Sequence, residues 1–207
     1  MTSILKVDTI QDTAGNNIIN ESSDTITIGA SGDTITIPSG ATISNLGTAS
    51  GFGGITNAQQ WYHTATTTLT SSAIILPSWS AHNGTKIGSI GSNVSVASGK
   101  FSFSSTGIYQ INARISYFLA GAALRYALSS VMVSTDAGST FTNVDESVSG
   151  LPDIGTTDYT FTINNYILDV DDTANIQVAI YAATEITAQI ENYNKATTIS
   201  FVRLGDT

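Results

Sequence analysis

The chain has 207 residues, 41% of them hydrophobic and only 11% charged, and sixteen acidic against seven basic side chains give a net charge of −9. That length suits one or two domains with a real core, and its polarity comes from Thr, Ser, Gly and Asn, the texture of β-rich extracellular or virion proteins. The lack of cysteine rules out disulfides and thiolate chemistry, the scattered cations argue against nucleic-acid binding, and no apolar run reaches membrane-span length.

From the N-terminus, "MTSILKVDTIQD" lacks the long apolar stretch of a secretory signal. Leu5 and Val7 alternate with Lys6 and Asp8, and Ile10 follows, making a small apolar face with nothing nearby in sequence to cover it. Ordering such a segment costs about 1–2 kcal/mol per residue, which a partner must offset. Residues 1–20 therefore read as an extended attachment peptide.

Residues 21–54 read as a β-repeat stalk and a linker. Asp24-Thr25-Ile26-Thr27-Ile28 returns as Asp33-Thr34-Ile35-Thr36-Ile37, and a looser copy follows at Thr42-Ile43-Ser44-Asn45-Leu46. Ile26, Ile28, Ile35 and Ile37 alternate with Thr, the period of a half-buried strand. A repeat cannot bury its apolar face as a single copy, and so few copies make no self-standing solenoid. A surface hairpin is one reading; the other, favoured here, has several identical chains stacking their Ile stripes around an axis. Gly47, Gly51, Gly53 and Gly54 around Phe52 then mark a linker, with no following helix to seat a phosphate.

Residues 55–207 read as a head domain of eight to ten strands and almost no helix, an antiparallel sandwich or barrel. Strand patterns run over 73–77, 86–90, 93–96, 100–104, 108–119, 129–134, 159–168, 175–183, 187–193 and 197–204. Tyr109, Ile111, Ala113, Ile115 and Tyr117 share one face; Tyr159, Phe161 and Ile163 oppose Thr160, Thr162 and Asn164. "LAGAALRYALSSVM" is the one helix-like stretch, weakened by Gly121 and the β-branched residues beyond it. Two late segments are apolar on both faces: Ile176, Val178 and Ile180 against Ala179, Tyr181 and Ala183, and Ile199 and Phe201 against Val202 and Leu204. Such strands need cover on both sides.

Catalytic patterns are missing. His63 and His82 lie in polar surroundings, read as surface or turn residues, with no G-x-S-x-G elbow and no helical zinc spacing. Asp169, Asp171 and Asp172 offer a weak calcium candidate without the EF-hand order, and a solvated turn is the simpler reading. Trp61 and Trp79 suit either a packed interior, the favoured reading, or a glycan contact. The expectation is a non-enzyme without cofactor.

"NVSVASGKFSFSSTGIYQINARISY" resembles the C1q/tumour-necrosis-factor jelly roll through Gly99, Phe101, Phe103, Gly107 and Tyr109. "NYILDVDDTANIQVAIYAA" is similar to that family's L-x-L-x-x-GD-x-V segment, with Asp171-Asp172 in place of Gly-Asp, and Ser200, Phe201, Val202 and Leu204 resemble its last strand. The resemblance, over about residues 60–204, implies a homotrimer whose inner sheet packs around the three-fold axis, with Tyr181 and Phe201 at or near it. "SILKVDTIQDTAGNNII" and "TITIPSGATISNLGTASGF" resemble the leaders of short tail-fibre and virion appendage proteins of tailed bacteriophages, marine and cyanobacterial ones especially. That implies a virion protein made in the host cytoplasm, docked to a tail, neck or capsid protein through Leu5, Val7 and Ile10, with a three-chain stalk and a distal knob. Capsid decoration or cement, a head fibre, and a lectin module for host surface glycan remain as alternatives.

Overall fold

The computed structural model describes residues 9–11, 13, 17–23, 25–29, 32–42, 55–82, 89–153, 155, 157–190 and 195–207. The chain divides into two compact units, residues 1–50 and 51–207.

In the first unit, β1 (Thr9–Gln11), β2 (Asn17–Ser22) and β3 (Thr25–Ile28) form an antiparallel sheet. Ile10 pairs with Ile19 and Ile19 with Ile28, so one row of isoleucines crosses all three strands. The first repeat copy supplies β3, which pairs with β2 and not with the second copy. Asp33–Ile37 forms no strand, and left-handed Gly29 and Gly32 stand between the copies. The expectation of equivalent repeat strands is corrected accordingly. Ile26, Ile28, Ile35 and Ile37 are all exposed, as is Ile10. Leu5, Val7, the third repeat copy beyond Thr42 and the glycine linker lie outside the described residues.

The second unit is a two-sheet sandwich of β4 (Ala58–His63), β5 (Thr67–Leu69), β6 (Ile74–Ile75), β7 (Trp79–Ala81), β8 (Val94–Ala97), β9 (Lys100–Phe103), β10 (Gly107–Ala120), β11 (Leu124–Ser134), β12 (Thr142–Leu151), β13 (Thr157–Val170), β14 (Gln177–Thr184), β15 (Ala188–Ile190) and β16 (Thr198–Gly205). The seven-stranded sheet is built around β10. One edge of β10 pairs with β13 from Gly107↔Val170 to Ala120↔Thr157; the other is shared by β16, which continues to β4 and β7, and β15, which continues to β5. The six-stranded sheet runs β12-β11-β14-β9-β8, with β6 beside β14.

Period-2 alternation builds this interior. Tyr109, Ile111, Ala113, Ile115 and Tyr117 are all buried on one face of β10. They meet Val131, Val178 and Ile180 among others in one continuous core. The helix-like "LAGAALRYALSSVM" is instead the end of β10, a turn at Gly121 with φ +72°, and β11. A glycine adopts that left-handed turn without the Cβ penalty that a helix-forming residue would meet there.

One end of the core is aromatic. Phe101 lies 5.8 Å from Trp61, 5.6 Å from Trp79 and 5.0 Å from Phe201, ring centre to ring centre. Phe103 lies 4.8 Å from Tyr109 and 5.8 Å from Phe201. Phe201 is thus a central member of the cluster and fully buried. Its replacement by Ala leaves a cavity between the sheets and is expected to cost about 3–5 kcal/mol. A urea melt of Phe201→Ala whose midpoint matched the wild type would contradict this placement.

Candidate interaction surface

The long strand β13 is built inside out. Facing the interior are Asp158, Thr160, Thr162, Asn164, Tyr166, Leu168 and Val170; facing outward are Tyr159, Phe161, Ile163, Asn165, Ile167 and Asp169. Most of the apolar side chains therefore point away from the core. Tyr159, Phe161, Ile163 and Ile167 are 58%, 57%, 51% and 62% exposed, far beyond what an isolated surface hydrophobe needs for explanation.

Hydrogen bonding accounts for the inversion. Tyr117 Oη donates to Leu128 O at 2.7 Å and lies 3.3 Å from Thr162 Oγ1. Ser129 Oγ is 2.5 Å from Thr162 Oγ1 and donates to Asn164 Oδ1. Asn164 Nδ2 donates to Ser129 O at 3.3 Å and to Asp145 Oδ2 at 3.0 Å. Buried polar groups satisfied in this way carry no large desolvation penalty. Burial pushes the Tyr117 phenol up to about 12, and the Thr162 and Ser129 hydroxyls offset part of that rise. The ring stays neutral.

The free edge of β13 is tied to β12 by side chains. Asn165 N–H donates to Asp145 Oδ2 at 3.2 Å, and the hydroxyls of Ser149 and Thr160 meet at 2.6 Å. Outward, β13 adjoins the outward face of β10. Tyr159 stands beside Phe118, their ring centres 5.6 Å apart, and Phe161 is paired with Ser116, Ile163 with Arg114 and Ile167 with Gln110. Half-buried Val202 continues the Ile167–Gln110 row on β16. The surface is an apolar band along one edge of the sheet, bordered by amides, hydroxyls and one guanidinium.

Other residues singled out from the sequence fall elsewhere. Tyr181 lies on β14 in the six-stranded sheet, whereas Phe201 lies on β16 in the other sheet with its ring inside. Their expected meeting at one axis is corrected, because strands of opposite sheets do not share a face. The second faces differ: on β16 Val202 is half-buried and Leu204 exposed, both on the outward side opposite Phe201, whereas the second face of β14 carries the small, buried Ala179 and Ala183 besides Tyr181.

Trp61 and Trp79 are buried, and Trp79 Nε1 donates to Leu76 O at 2.8 Å, so neither indole presents a flat face for a glycan. Asp172 caps the turn after β13: Asn175 Nδ2 and the Ala174 and Asn175 amides hold its carboxyl below the usual range. Asp169 and Asp171 are exposed, and among the described residues no cluster of His, Asp or Glu has metal-binding geometry. His63, expected at the surface, is fully buried in β4, edge-on to Trp79 and 3.3 Å from Thr67 Oγ1. Sequence alternation had paired Tyr159, Phe161 and Ile163 on one face, but nothing in a period of two says which face points in.

No protein-family model matches the chain, and no curated protein matches it in sequence. Solved structures do share the fold. Murine APRIL at pH 5.0 is 11% identical with a TM-score of 0.50, covering 72% of this chain and 98% of its own. Eiger TNF from S. frugiperda is 13% identical with a TM-score of 0.53, covering 72% and 93%. The globular unit is an antiparallel C1q/TNF-like jelly roll.

His63 gives this unit a pH dependence of definite sign. Burial pushes its pKa below the ordinary 6.5, against a partial rise from the backbone carbonyls of Pro77 and Ala65. The unfolded chain thus takes up a proton near pH 6.5 while the folded chain resists it, and stability is lost as pH falls through that region. His82 is lowered too, by desolvation and by Lys195, and acts in the same direction. Between pH 7.5 and 5.5 the melting temperature is expected to fall more steeply in wild type than in His63→Gln; equal slopes would count against the assignment.

Proposed function

We propose that the chain is a non-enzymatic structural protein of a tailed-phage virion, a homotrimeric fibre or appendage whose jelly-roll head self-associates through the outward face of β13. The observation that carries this reading is the inverted strand: four large apolar side chains in the open, with Thr162 and Asn164 beneath them hydrogen-bonded to β10, β11 and β12. Over 158–164 folding does not demand that arrangement, since this half of the strand turned over would bury Tyr159, Phe161 and Ile163. Association does.

The three-fold number follows from the resemblance to C1q/TNF proteins. A heterologous contact closes when the rotation between copies returns to the start, and three copies then bury every β13 face. The N-terminal unit supports the fibre reading, because the isoleucine row Ile10–Ile19–Ile28 and the exposed Ile26, Ile35 and Ile37 suit packing between parallel copies. In this reading Leu5, Val7 and Ile10 engage another virion protein.

Sedimentation of Phe161→Asp and Ile163→Asp is the test. Burying an aromatic or Ile side chain contributes roughly 1.5–3 kcal/mol, and an unpaired carboxylate at the same place costs several more. Each variant is expected to sediment as a folded monomer where wild type is a trimer, while Tyr181→Asp remains trimeric. A monomeric wild type, or a trimer untouched by both β13 changes, would sink the assignment.

A further inference from the structure

The opposite sheet carries a second feature that self-association does not use. On its outward face lies a groove of about 400 Å³, within the usual size range of ligand sites, about 300–1,000 Å³. Leu128, Met132 and Ala183 contribute to its apolar floor, with Tyr126 and Tyr181 also lining it. Polar groups gather on one side at Ser130, Asn143 and Glu146.

That cluster exists because β12 is bulged. In an unbroken strand, positions 143 and 146 would face opposite ways. Here Val131 pairs with Asp145 and Met132 with Asn143, leaving Val144 extra. Val144 packs against the core and Asp145 reaches inward to Asn164, so Asn143 and Glu146 emerge together on the outer face. A bulge re-aims side chains in this way beside many functional sites. Asn143 Nδ2 then donates to Glu146 Oε2 at 2.9 Å, and Ser130 Oγ donates to the same oxygen at 3.3 Å. One carboxylate oxygen is held and the other, with Asn143 Oδ1, is left to accept from a ligand.

Charge narrows the occupant. Glu146 is the acidic side chain lining the groove, which disfavours an anion. A cation would be drawn to the same carboxylate, but two hydrogen bonds already engage one of its oxygens, and the acceptors left, the other carboxylate oxygen and Asn143 Oδ1, match a pair of neighbouring hydroxyls. What fits is an uncharged molecule with an apolar face for a tyrosine ring and hydroxyls for a carboxylate and an amide. We propose that this groove binds a neutral pyranoside, its C–H face on Tyr181 and its hydroxyls donating to Glu146 and Asn143. The site lies on the sheet facing away from β13, so it stands or falls separately from the trimer.

Saturation-transfer NMR on the full chain with methyl hexopyranosides, a methyl uronate and tetramethylammonium tests the proposal, with oligomeric state followed in parallel. Transfer to at least one neutral pyranoside is expected. Affinity should fall about tenfold or more in Glu146→Gln, through loss of a charge-assisted hydrogen bond, and in Tyr181→Ala, through loss of the ring face. Glu146→Gln is isosteric on an exposed position and leaves the fold intact. No transfer to any neutral pyranoside, a preference for the uronate or the ammonium ion, or binding indifferent to both changes would overturn it.

Discussion

The hydrogen bonds that join Tyr117, Ser129, Thr162, Asn164 and Asp145 are what the rest of the molecule is arranged around. Tyr117, Ser129, Thr162 and Asn164 are buried, and each would cost about 1–3 kcal/mol if left without a partner; Asp145 is half-buried. Together they let β13 keep Thr162 and Asn164 inside without a large desolvation penalty. With the inside of β13 occupied by hydroxyls and an amide over 160–164, Tyr159, Phe161 and Ile163 have only the outside to go to, while Leu168 and Val170 enter the core farther along the strand. The same network crosses from β13 and β10 to β11 and β12, so it also joins the two sheets where aromatic packing does not reach.

The sandwich is therefore stabilised differently at its two ends. Around Phe101, Phe103 and Phe201 it is ring against ring, non-directional and tolerant of small shifts. Around Asn164 it is directional, and its geometry sets the register of β13 against β12. Burial alone would allow β13 to slip by one residue and present the other face. The bonds from Asn164 and Asn165 to Asp145 oppose that slip, because a slipped strand would turn Asn164 outward and strand the Asp145 carboxylate.

Legibility in the sequence follows the same division. The Ile108–Tyr117 stretch shows both its strand and its inner face, because its inner side is apolar in the ordinary way. On β13 the alternation correctly groups Tyr159, Phe161 and Ile163, but their direction depends on partners from β11 and β12 that no local pattern contains. Thr142–Leu151 was not legible as a strand at all: it carries Asp145 and Glu146 side by side, and the bulge at Val144 breaks its period. The groove was hidden for that reason, since Asn143 and Glu146 join Ser130 only after the bulge. Trp61 and Trp79 left packing and glycan contact both open, and His63 read as a surface residue, because β4 and β7 are short and flanked by polar residues; pairing of β4 to β16 and of β7 to β4 carries them inside.

The two outward faces make different demands on affinity. The β13 band is apolar except at Asn165 and suits a partner that buries it permanently. The groove is small and half polar, and a single pyranoside offers too few atoms there for tight binding. In the proposed trimer that weakness is no defect. Three copies joined through one sheet present three grooves on the other, at spacings set by rigid sandwiches. A surface coated with repeated sugars then meets the second and third sites at high effective concentration, and avidity can exceed the single-site affinity by about 10²–10⁴ without a new contact. Weak single sites also dissociate individually, so a multivalent particle can exchange its contacts without leaving the surface. The proposed β13 interface would thus give the proposed groove its usefulness, and the bonded interior of β13 leaves the apolar side chains of that interface outside.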